Sequence, residues 1–343
     1  MSFVLKEHTM LTQILILIAG LALVTLSADW LVDGSSAIAR KAGISEFVIG
    51  MTIVGIGTSL PELVVSLSGA LQGKADIAIG NIVGSNLFNV YLILGLTALI
   101  FPVGITKSNF RRDIPLNIAA SILLVVLGMS RTLFCIGSGD TLSRTEGIVF
   151  LIIFVGYLYL SLKKDQTDNT EKDGEEAVKE SKLVKDILLV TAGLAGLIFG
   201  GKIFVNSACE IARMAGLSEK FIAVTILAAG TSLPELVTCI VAAAKKKDQL
   251  ALGNILGSNI SNIFLILGCS AVCFHKTPGS ASGLSFSGMS NVDIGFFVLS
   301  SIMILVSALT EKKGSTTRKI GRFDGALFLI CEGAYMTYLI MTI

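Results

Sequence analysis

The sequence predicts an all-α integral membrane protein with ten transmembrane helices arranged as two inverted five-helix repeats. Composition indicates the membrane, because 53% of the 343 residues are hydrophobic and 15% are charged, and the apolar runs reach the roughly 20 residues that cross a bilayer. An internal duplication indicates the two halves: residues 38–95 and 211–268 align without gaps and share 32 identities in 58 positions. Five helices per repeat is an odd number, so the second copy must enter the membrane in the opposite direction.

Hydropathy divides the chain into ten apolar segments, which set the predicted boundaries of the two halves. We expect helices at 11–32, 46–71, 78–101, 113–130, 146–162, 184–205, 219–244, 250–273, 291–310 and 323–342. The first repeat then covers 11–162 and the second covers 184–342. Residues 163–183 are rich in charge and too short to form a core, so we expect a solvated cytoplasmic loop.

Positive charge predicts the orientation. If both termini face outside, the inside loops carry 19 lysine and arginine residues and the outside loops carry 7. The excess on the inside follows the positive-inside rule. We therefore expect a protein of the plasma membrane, or inner cell membrane, with both termini outside.

One motif places a carboxylate and a proline inside an apolar helix of each repeat. Residues 57–64 read Gly-Thr-Ser-Leu-Pro-Glu-Leu-Val, and residues 230–237 repeat them without change. Proline has no N–H, so each motif should break its helix and free the carbonyl of Gly57 or Gly230. The helical spacing places two hydroxyls and the carboxylate on one face, namely Thr58, Ser59 and Glu62 in the first copy and Thr231, Ser232 and Glu235 in the second.

A second repeated block adds amide groups on the following helix. Residues 80–86 and 253–259 both follow the pattern Gly-Asn-Ile-x-Gly-Ser-Asn, and polar residues recur every four positions. The two sets are Asn81, Ser85 and Asn89, and Asn254, Ser258 and Asn262. If the copies face each other, two carboxylates lie among neutral oxygens, which suits hard cations such as Ca²⁺ or Na⁺.

The energetic cost of the two glutamates favours a functional role over an accidental one. A charged side chain at the centre of a membrane helix costs about 2.5–3.5 kcal/mol, so two cost roughly 5–7 kcal/mol unless they are compensated. A divalent cation would neutralise both, as would protons or two monovalent cations. Such an exchange of charge partners is a physical basis for counter-transport.

Other residues are predicted to have structural roles. The six cysteines are scattered, mostly through apolar segments, and fit small core residues better than disulfides or a metal centre. We expect interfacial or loop positions for the remaining charges in or near the spans, which are Asp29, Asp33, Lys202, Glu210 and Glu332. Neither a cofactor nor a nucleic-acid partner is expected, and no oligomer is predicted.

Both repeated motifs, in order and inverted, resemble the alpha repeats of the sodium/calcium exchanger family, and the chain is most similar to its prokaryotic ten-helix members. The resemblance implies four cation positions, one for Ca²⁺ and up to three for Na⁺. It also implies that the first and sixth helices slide across the rest to switch access. The implied ligands are Glu62 and Glu235, shared by the ions, with Thr58, Ser59, Ser85, Asn89, Thr231, Ser232, Ser258 and Asn262.

The chain departs from the family pattern at Asn262, where family members often carry aspartate. The amide leaves two formal carboxylates in the centre instead of three. If the family aspartate acts protonated, the exchange of side chains is nearly isosteric; if it acts charged, stoichiometry or ion preference changes. The chain also lacks a long cytoplasmic calcium-sensing insertion, so regulation by such a domain is not expected.

We therefore expect a secondary antiporter that exchanges Na⁺ for Ca²⁺, with Ca²⁺ extrusion driven by the Na⁺ gradient. Coupling to H⁺ or K⁺, and transport of another divalent cation such as Mg²⁺ or Mn²⁺, remain open. A cation channel lined by the two glutamates is the alternative from another class. An enzyme is not expected, because neither a nucleophile–base pair nor a histidine metal centre is repeated.

Overall fold

The computed structural model describes residues 2–135, 139–169, 183–217, 222, 226, 228–275, 283–309 and 318–342. Over these residues the chain is almost entirely helical, with four short strands. We name the helices α1 to α10 in chain order. They are α1 (Ser2–Ala42), α2 (Glu46–Thr58 and Leu60–Leu71), α3 (Ala75–Ile100), α4 (Ile114–Gly128), α5 (Arg144–Asn169), α6 (Leu183–Met214), α7 (Ala228–Thr231 and Leu233–Ala244), α8 (Asp248–Cys273), α9 (Asn291–Leu309) and α10 (Arg322–Thr342).

Among the described residues, seven helices are each long and apolar enough to cross a membrane, namely α1, α3, α5, α6, α8, α9 and α10. The two segments of α2 make an eighth span if they are counted as one. The start of the predicted seventh span, 219–244, lies largely outside the described residues. The chain is therefore a polytopic helical protein, and the count of ten spans stays a prediction.

Several helices extend beyond their predicted apolar segments. Helices α1 and α6 continue to Ala42 and Met214, past the predicted ends at 32 and 205. Hydropathy detects only the apolar part of a helix, whereas hydrogen bonding continues into its polar ends. Helix α5 likewise continues to Asn169, so it includes the first residues of the predicted 163–183 loop; residues 170–182 of that loop lie outside the described part of the chain.

The helices divide into a buried pair and an outer group. Helices α3 and α8 are the most enclosed spans, whereas α1, α5, α6 and α10 expose large apolar side chains. Examples are Leu15, Val155, Phe199 and Ile330. Apolar side chains on the outside of a bundle are expected where lipid is the solvent, so the core of the fold lies around α3 and α8.

Small residues bring α1 and α6 together in opposite chain directions. Gly20 in the middle of α1 faces Phe204 in the second half of α6, while Gly34, further along α1, faces Asp186 at the start of α6. Between them, Gly193 contacts the backbone of Leu31. Glycines at helix interfaces allow close backbone approach in membranes. Thus α1 and α6, which are equivalent in the two repeats, pack antiparallel.

The contact between α2 and α8 is also a backbone contact. The Cβ position of Gly253 would lie 2.2 Å from the carbonyl oxygen of Phe47, and that of Gly257 would lie 2.4 Å from the carbonyl oxygen of Met51. Only glycine permits these approaches. The second repeated block of one half therefore packs directly on the motif-bearing helix of the other half.

Ion pairs join helix ends that the topology predicts on one membrane face. Lys245, after α7, contacts Asp29 at 2.6 Å and Asp33 at 2.7 Å on α1. Partial burial would lower the pKa of Lys245, but hydrogen bonds and charge from these two aspartates raise it above its ordinary value. Further pairs are Lys41–Asp186 at 2.6 Å and Lys247–Glu46 at 2.5 Å.

Two antiparallel ribbons each combine a strand from each half. Strand β1 (Val103–Ile105) pairs with β4 (Arg318–Ile320), and β2 (Thr141–Leu142) pairs with β3 (Leu284–Ser285). A short helical turn, Ser130–Phe134, precedes β2. The halves are therefore connected outside the helices as well as through them.

The predicted interfacial or loop charges have different environments. Asp29 and Asp33 pair with Lys245, and Glu210 pairs with Arg213 on the exposed surface of α6. For Glu332 the prediction is wrong, because this residue lies within α10 and is 8% exposed. It lies in the middle of α10, where the packing of this helix against α3 and α9 encloses it.

Candidate cation-binding site

The repeated proline motif breaks α2 and α7 as the sequence predicts. In α2 the helix ends at Thr58, Ser59 adopts φ −81° and ψ 8°, and a second segment begins at Leu60 with an axis bent by 48°. In α7 the equivalent residue Ser232 has φ −90° and ψ 8°. Proline in the first turn of each second segment needs no N–H partner there. Each break therefore presents the beginning of a half-helix inside the bundle.

Glu62 and Glu235 lie in the first turns of these half-helices, and each is 1% exposed. The N-terminal end of a helix carries partial positive charge, which favours a carboxylate. The charges of the two glutamates interact with each other.

Hydrogen bonds cross between the repeats in a reciprocal pattern. Ser59 Oγ donates to Glu235 Oε1 at 2.9 Å, and Ser232 Oγ donates to Glu62 Oε1 at 2.9 Å. Exchanging each residue for its equivalent in the other repeat converts one bond into the other. The site is therefore built around an approximate twofold relation, and the two predicted carboxylates do meet at one place.

Both carboxylates keep one oxygen without a donor. Glu62 Oε2 and Glu235 Oε2 are buried and find no hydrogen-bond partner among the described residues, and neither do Asn89 Oδ1 and Asn262 Oδ1. An unsatisfied buried acceptor is costly, and a charged one more so. Four such oxygens from equivalent positions form a set of acceptors that a cation would satisfy.

Two asparagines that sequence reasoning missed orient these amides. Asn89 Nδ2 donates to Asn259 Oδ1 at 3.0 Å, and Asn262 Nδ2 donates to Asn86 Oδ1 at 2.9 Å. Because each nitrogen is engaged, the oxygen of each amide is the atom left over. Asn86 and Asn259 close both repeated blocks, and that repetition was the available signal. They lie off the four-residue spacing used to choose candidates.

The remaining predicted residues surround this centre. Ser85 Oγ donates to Glu62 Oε1 at 3.4 Å, Thr58 Oγ1 donates to Asn254 Oδ1 at 3.1 Å, and Ser258 Oγ donates to the Gly55 carbonyl at 3.2 Å. Thr231 lies beside Glu62, and Thr58 lies beside Glu235. Asn81 instead binds the Glu62 carbonyl oxygen and Ser66, so it supports the backbone of the site.

A local change in helix geometry coincides with the amide pair. In α3 a wider π-helical turn covers Asn89–Leu94, and in α8 the equivalent turn covers Asn262–Leu267. Each turn begins at the asparagine whose oxygen lacks a partner. Single π-turns within α-helices frequently accompany functional positions, and here they recur in both repeats.

The donor set has the character of a site for hard cations. It combines two carboxylates with hydroxyl, amide and carbonyl oxygens, and no group of three or more His, Cys, Asp or Glu side chains forms a metal cluster in the part of the chain that the structure describes. Oxygen ligands favour Ca²⁺, Na⁺ and similar ions over soft metals. The fold and the site together define a helical membrane protein that handles such cations.

Comparison with known proteins identifies the family. The model of the sodium/calcium exchanger protein family matches residues 12–163 and 185–342, and the chain belongs to this family. The chain is 35% identical over 332 residues to the putative antiporter CaxA of Alkalimonas amylolytica, which covers 95% of this chain and 98% of CaxA. It is 32% identical over 354 residues to the sodium/calcium exchanger MaX1 of Methanosarcina acetivorans, which covers 95% of this chain and 97% of MaX1.

A solved structure extends the likeness to the whole fold. The sodium-calcium exchanger NCX_Mj, in a crystal soaked with 2.5 mM Na⁺ and 1 mM Sr²⁺, superposes with a TM-score of 0.78 at 32% identity. The match covers 95% of this chain and 97% of that one. The chain is thus a cation/Ca²⁺ antiporter of this family, a transporter with an exchanger fold, and the predicted resemblance is confirmed.

Proposed function

We propose that the protein exchanges Na⁺ for Ca²⁺ across the inner cell membrane by alternating access. The observation that carries the proposal is the reciprocal site, in which each glutamate accepts a hydroxyl from the opposite repeat and keeps one buried oxygen without a protein partner. Transport is proposed to run through ten spans in two inverted repeats with both termini outside. The antiparallel packing of α1 and α6 supports the inverted arrangement.

Glu62 and Glu235 would bind Ca²⁺ together, and the same two carboxylates would be shared by Na⁺ ions. Two negative charges match one Ca²⁺ or two Na⁺ without a net charge in the membrane, where an uncompensated charge costs about 2.5–3.5 kcal/mol or more. The neutral oxygens complete coordination in this proposal. They come from Thr58, Ser59, Ser85, Asn89, Thr231, Ser232, Ser258 and Asn262.

Asn262 would act as a neutral ligand equivalent to Asn89. Its nitrogen donates to Asn86 just as that of Asn89 donates to Asn259, so the two amides have matching roles in the two repeats. An ionised aspartate at this position would oppose Asn86 Oδ1 with a second acceptor. The amide therefore favours a centre with two formal charges.

The direction of access would change when α1 and α6 slide together over the rest of the bundle. Their mutual contact uses glycines such as Gly20 and Gly193, and both helices are otherwise exposed on their outer faces. A smooth interface with small residues can keep the two helices together as a unit. The central site belongs to α2, α3, α7 and α8 and would stay in place.

The proposal is tested by Na⁺-gradient-driven ⁴⁵Ca²⁺ flux in proteoliposomes. We expect Glu62→Gln and Glu235→Gln each to lower the flux at least about tenfold, since each removes one of the two negative charges that balance the bound cation. Glu210→Gln is the matched control, because its carboxylate is on the exposed surface of α6 and pairs with Arg213. Normal flux in either central variant would contradict the assigned site.

Ion replacement separates the proposal from its alternatives. Uptake of ⁴⁵Ca²⁺ driven by a pH gradient without Na⁺ would indicate proton coupling, and a requirement for K⁺ would indicate a potassium-dependent exchanger. Conductance far above the turnover of stoichiometric exchange would indicate a channel. We expect the ⁴⁵Ca²⁺ flux to follow the Na⁺ gradient. It should stop when Na⁺ is absent from the side opposite to Ca²⁺.

A further inference from the structure

A cavity beside the central site contains a carboxylate that the proposed exchange does not use. The cavity has a volume of about 590 Å³ and lies between α3, α9 and α10. Glu332 of α10 lines it, is 8% exposed, and has its Oε2 atom buried without a hydrogen-bond partner among the described residues. A buried ionisable group inside a membrane protein marks a functional position by default.

The polar groups near Glu332 form hydrogen bonds with other partners. Tyr335, one turn further along α10, donates its hydroxyl to Asp293 Oδ1 at 3.0 Å, and Tyr91 donates to the Phe296 carbonyl at 3.0 Å. Asp293 Oδ2 accepts from the backbone and hydroxyl of Ser290. Asp293 is thus satisfied within the protein, whereas Glu332, in the wall of the cavity, keeps one buried acceptor without a partner among the described residues.

The cavity extends from the surface to the wall of the central site. Asp76, an exposed residue at the start of α3, lines its outer part. Ser85 lines its inner part and also donates to Glu62 Oε1. One hydroxyl therefore borders both sites, and the cavity carries acidic groups along its length. Clefts lined by one sign of charge concentrate ions of the opposite sign.

We propose that Glu332 is the anionic ligand of a second, monovalent-cation site in this cavity, next to the central exchange site. One unsatisfied carboxylate supplies a single negative charge, which matches an alkali cation, whereas Ca²⁺ requires about 6–8 oxygen ligands. The volume admits a cation together with its water, since each water takes about 30 Å³. A proton bound to Glu332 would not require a cavity of this volume, so the volume favours a hydrated cation as the ligand.

The first test measures binding without exchange, so it stands whatever the outcome for the proposed function. The full-length protein carrying both Glu62→Gln and Glu235→Gln is purified, and ²²Na⁺ binding is measured by scintillation proximity. We expect this variant to retain weak, saturable ²²Na⁺ binding that unlabelled Na⁺ or K⁺ displaces. Adding Glu332→Gln should abolish that binding, while adding Glu210→Gln on the exposed face of α6 should leave it intact.

A second variant guards against misfolding of the first. Glu332→Asp keeps the charge and should retain binding at lower affinity, with an unchanged elution profile in size-exclusion chromatography. In the otherwise unchanged protein, Glu332→Gln should raise the KM for Na⁺ in exchange by about threefold or more, because one attracting charge is removed from the approach. Its kcat should change much less than its KM.

Three results would overturn the proposal. The first is a central double variant that binds no ²²Na⁺, and the second is binding that survives Glu332→Gln. The third is a Glu332→Gln protein that alters only the pH dependence of exchange and leaves its Na⁺ dependence unchanged, since the ligand of Glu332 would then be a proton. Loss of exchange in the Glu62 or Glu235 variants does not affect any of these readouts.

Discussion

Gly84 and its equivalent in the second repeat, Gly257, provide a matched pair for testing how closely the two halves of the protein pack. A Cβ at Gly257 would lie 2.4 Å from the Met51 carbonyl oxygen and 2.6 Å from Met51 Cα. Ordinary carbon contacts are about 3.5–4.0 Å, so α8 must move from α2 by roughly 1 Å. At Gly84, no described residue has an atom within 4 Å of the same position.

The expected changes in unfolding free energy differ in sign. Forcing a methyl group against backbone costs about 1–3 kcal/mol. A 1 Å shift would also break the bonds from Ser258 to Gly55 and from Thr58 to Asn254, each worth about 0.5–1.5 kcal/mol. Alanine is favoured over glycine in a helix by about 1 kcal/mol. Gly257→Ala should therefore destabilise by roughly 1–5 kcal/mol, whereas Gly84→Ala should be neutral or stabilise by up to about 1 kcal/mol.

The measurement is the apparent melting temperature of the purified variants in one detergent, followed by tryptophan fluorescence from Trp30. We expect Gly257→Ala to melt below the unchanged protein and Gly84→Ala to melt at or above it. Gly253→Ala should behave like Gly257→Ala, because its Cβ would meet the Phe47 carbonyl. Equal melting of Gly84→Ala and Gly257→Ala, or greater loss in Gly84→Ala, would refute the packing argument.

Two further variants test the helix break and the ion pairs. Pro61→Ala removes a residue that disfavours an unbroken helix by about 3 kcal/mol, so α2 can straighten and draw Glu62 away from Ser232. The ⁴⁵Ca²⁺ flux should then fall about fivefold or more without loss of melting temperature. Normal flux would count against the need for the break. Lys245→Gln removes contacts with half-exposed Asp29 and Asp33 that are each worth about 0.2–1 kcal/mol. The melting temperature should fall by a few degrees at most, and the difference should shrink in high salt. A large loss that does not depend on salt would contradict this account.

The sequence predicted the helices and the central pair because lipid makes both conspicuous. Apolar runs are obligatory for spanning helices, and a proline beside a glutamate is unusual within one. The helix breaks at Ser59 and Ser232, and the crossed hydrogen bonds that bring Glu62 and Glu235 into one site, follow from those local signals and from the repeat. The repeat was sufficient to predict the central pair because the site is made of equivalent residues from the two halves.

Features that depend on long-range packing were not predictable. Asn86 and Asn259 act on amides 176 and 170 residues away in the chain, and no local spacing relates a residue to a partner on the opposite repeat. Glu332 is a single charge in an apolar segment, and the sequence does not show that α3 and α9 enclose it. In both cases the decisive partner lies on another helix.

The crossed hydrogen bonds have a consequence for how the proposed exchange avoids an empty centre. Each serine hydroxyl has one proton to donate, so Ser59 and Ser232 satisfy one oxygen of each carboxylate and leave the other. The amides add acceptors there, not donors, because Asn86 and Asn259 occupy their nitrogens. With cations removed, four buried acceptors from equivalent positions of the two repeats would have no donor among the described residues. Because unsatisfied buried acceptors are costly, the proposed carrier is expected to change its access only when loaded, which is the condition for exchanging one set of cations for another.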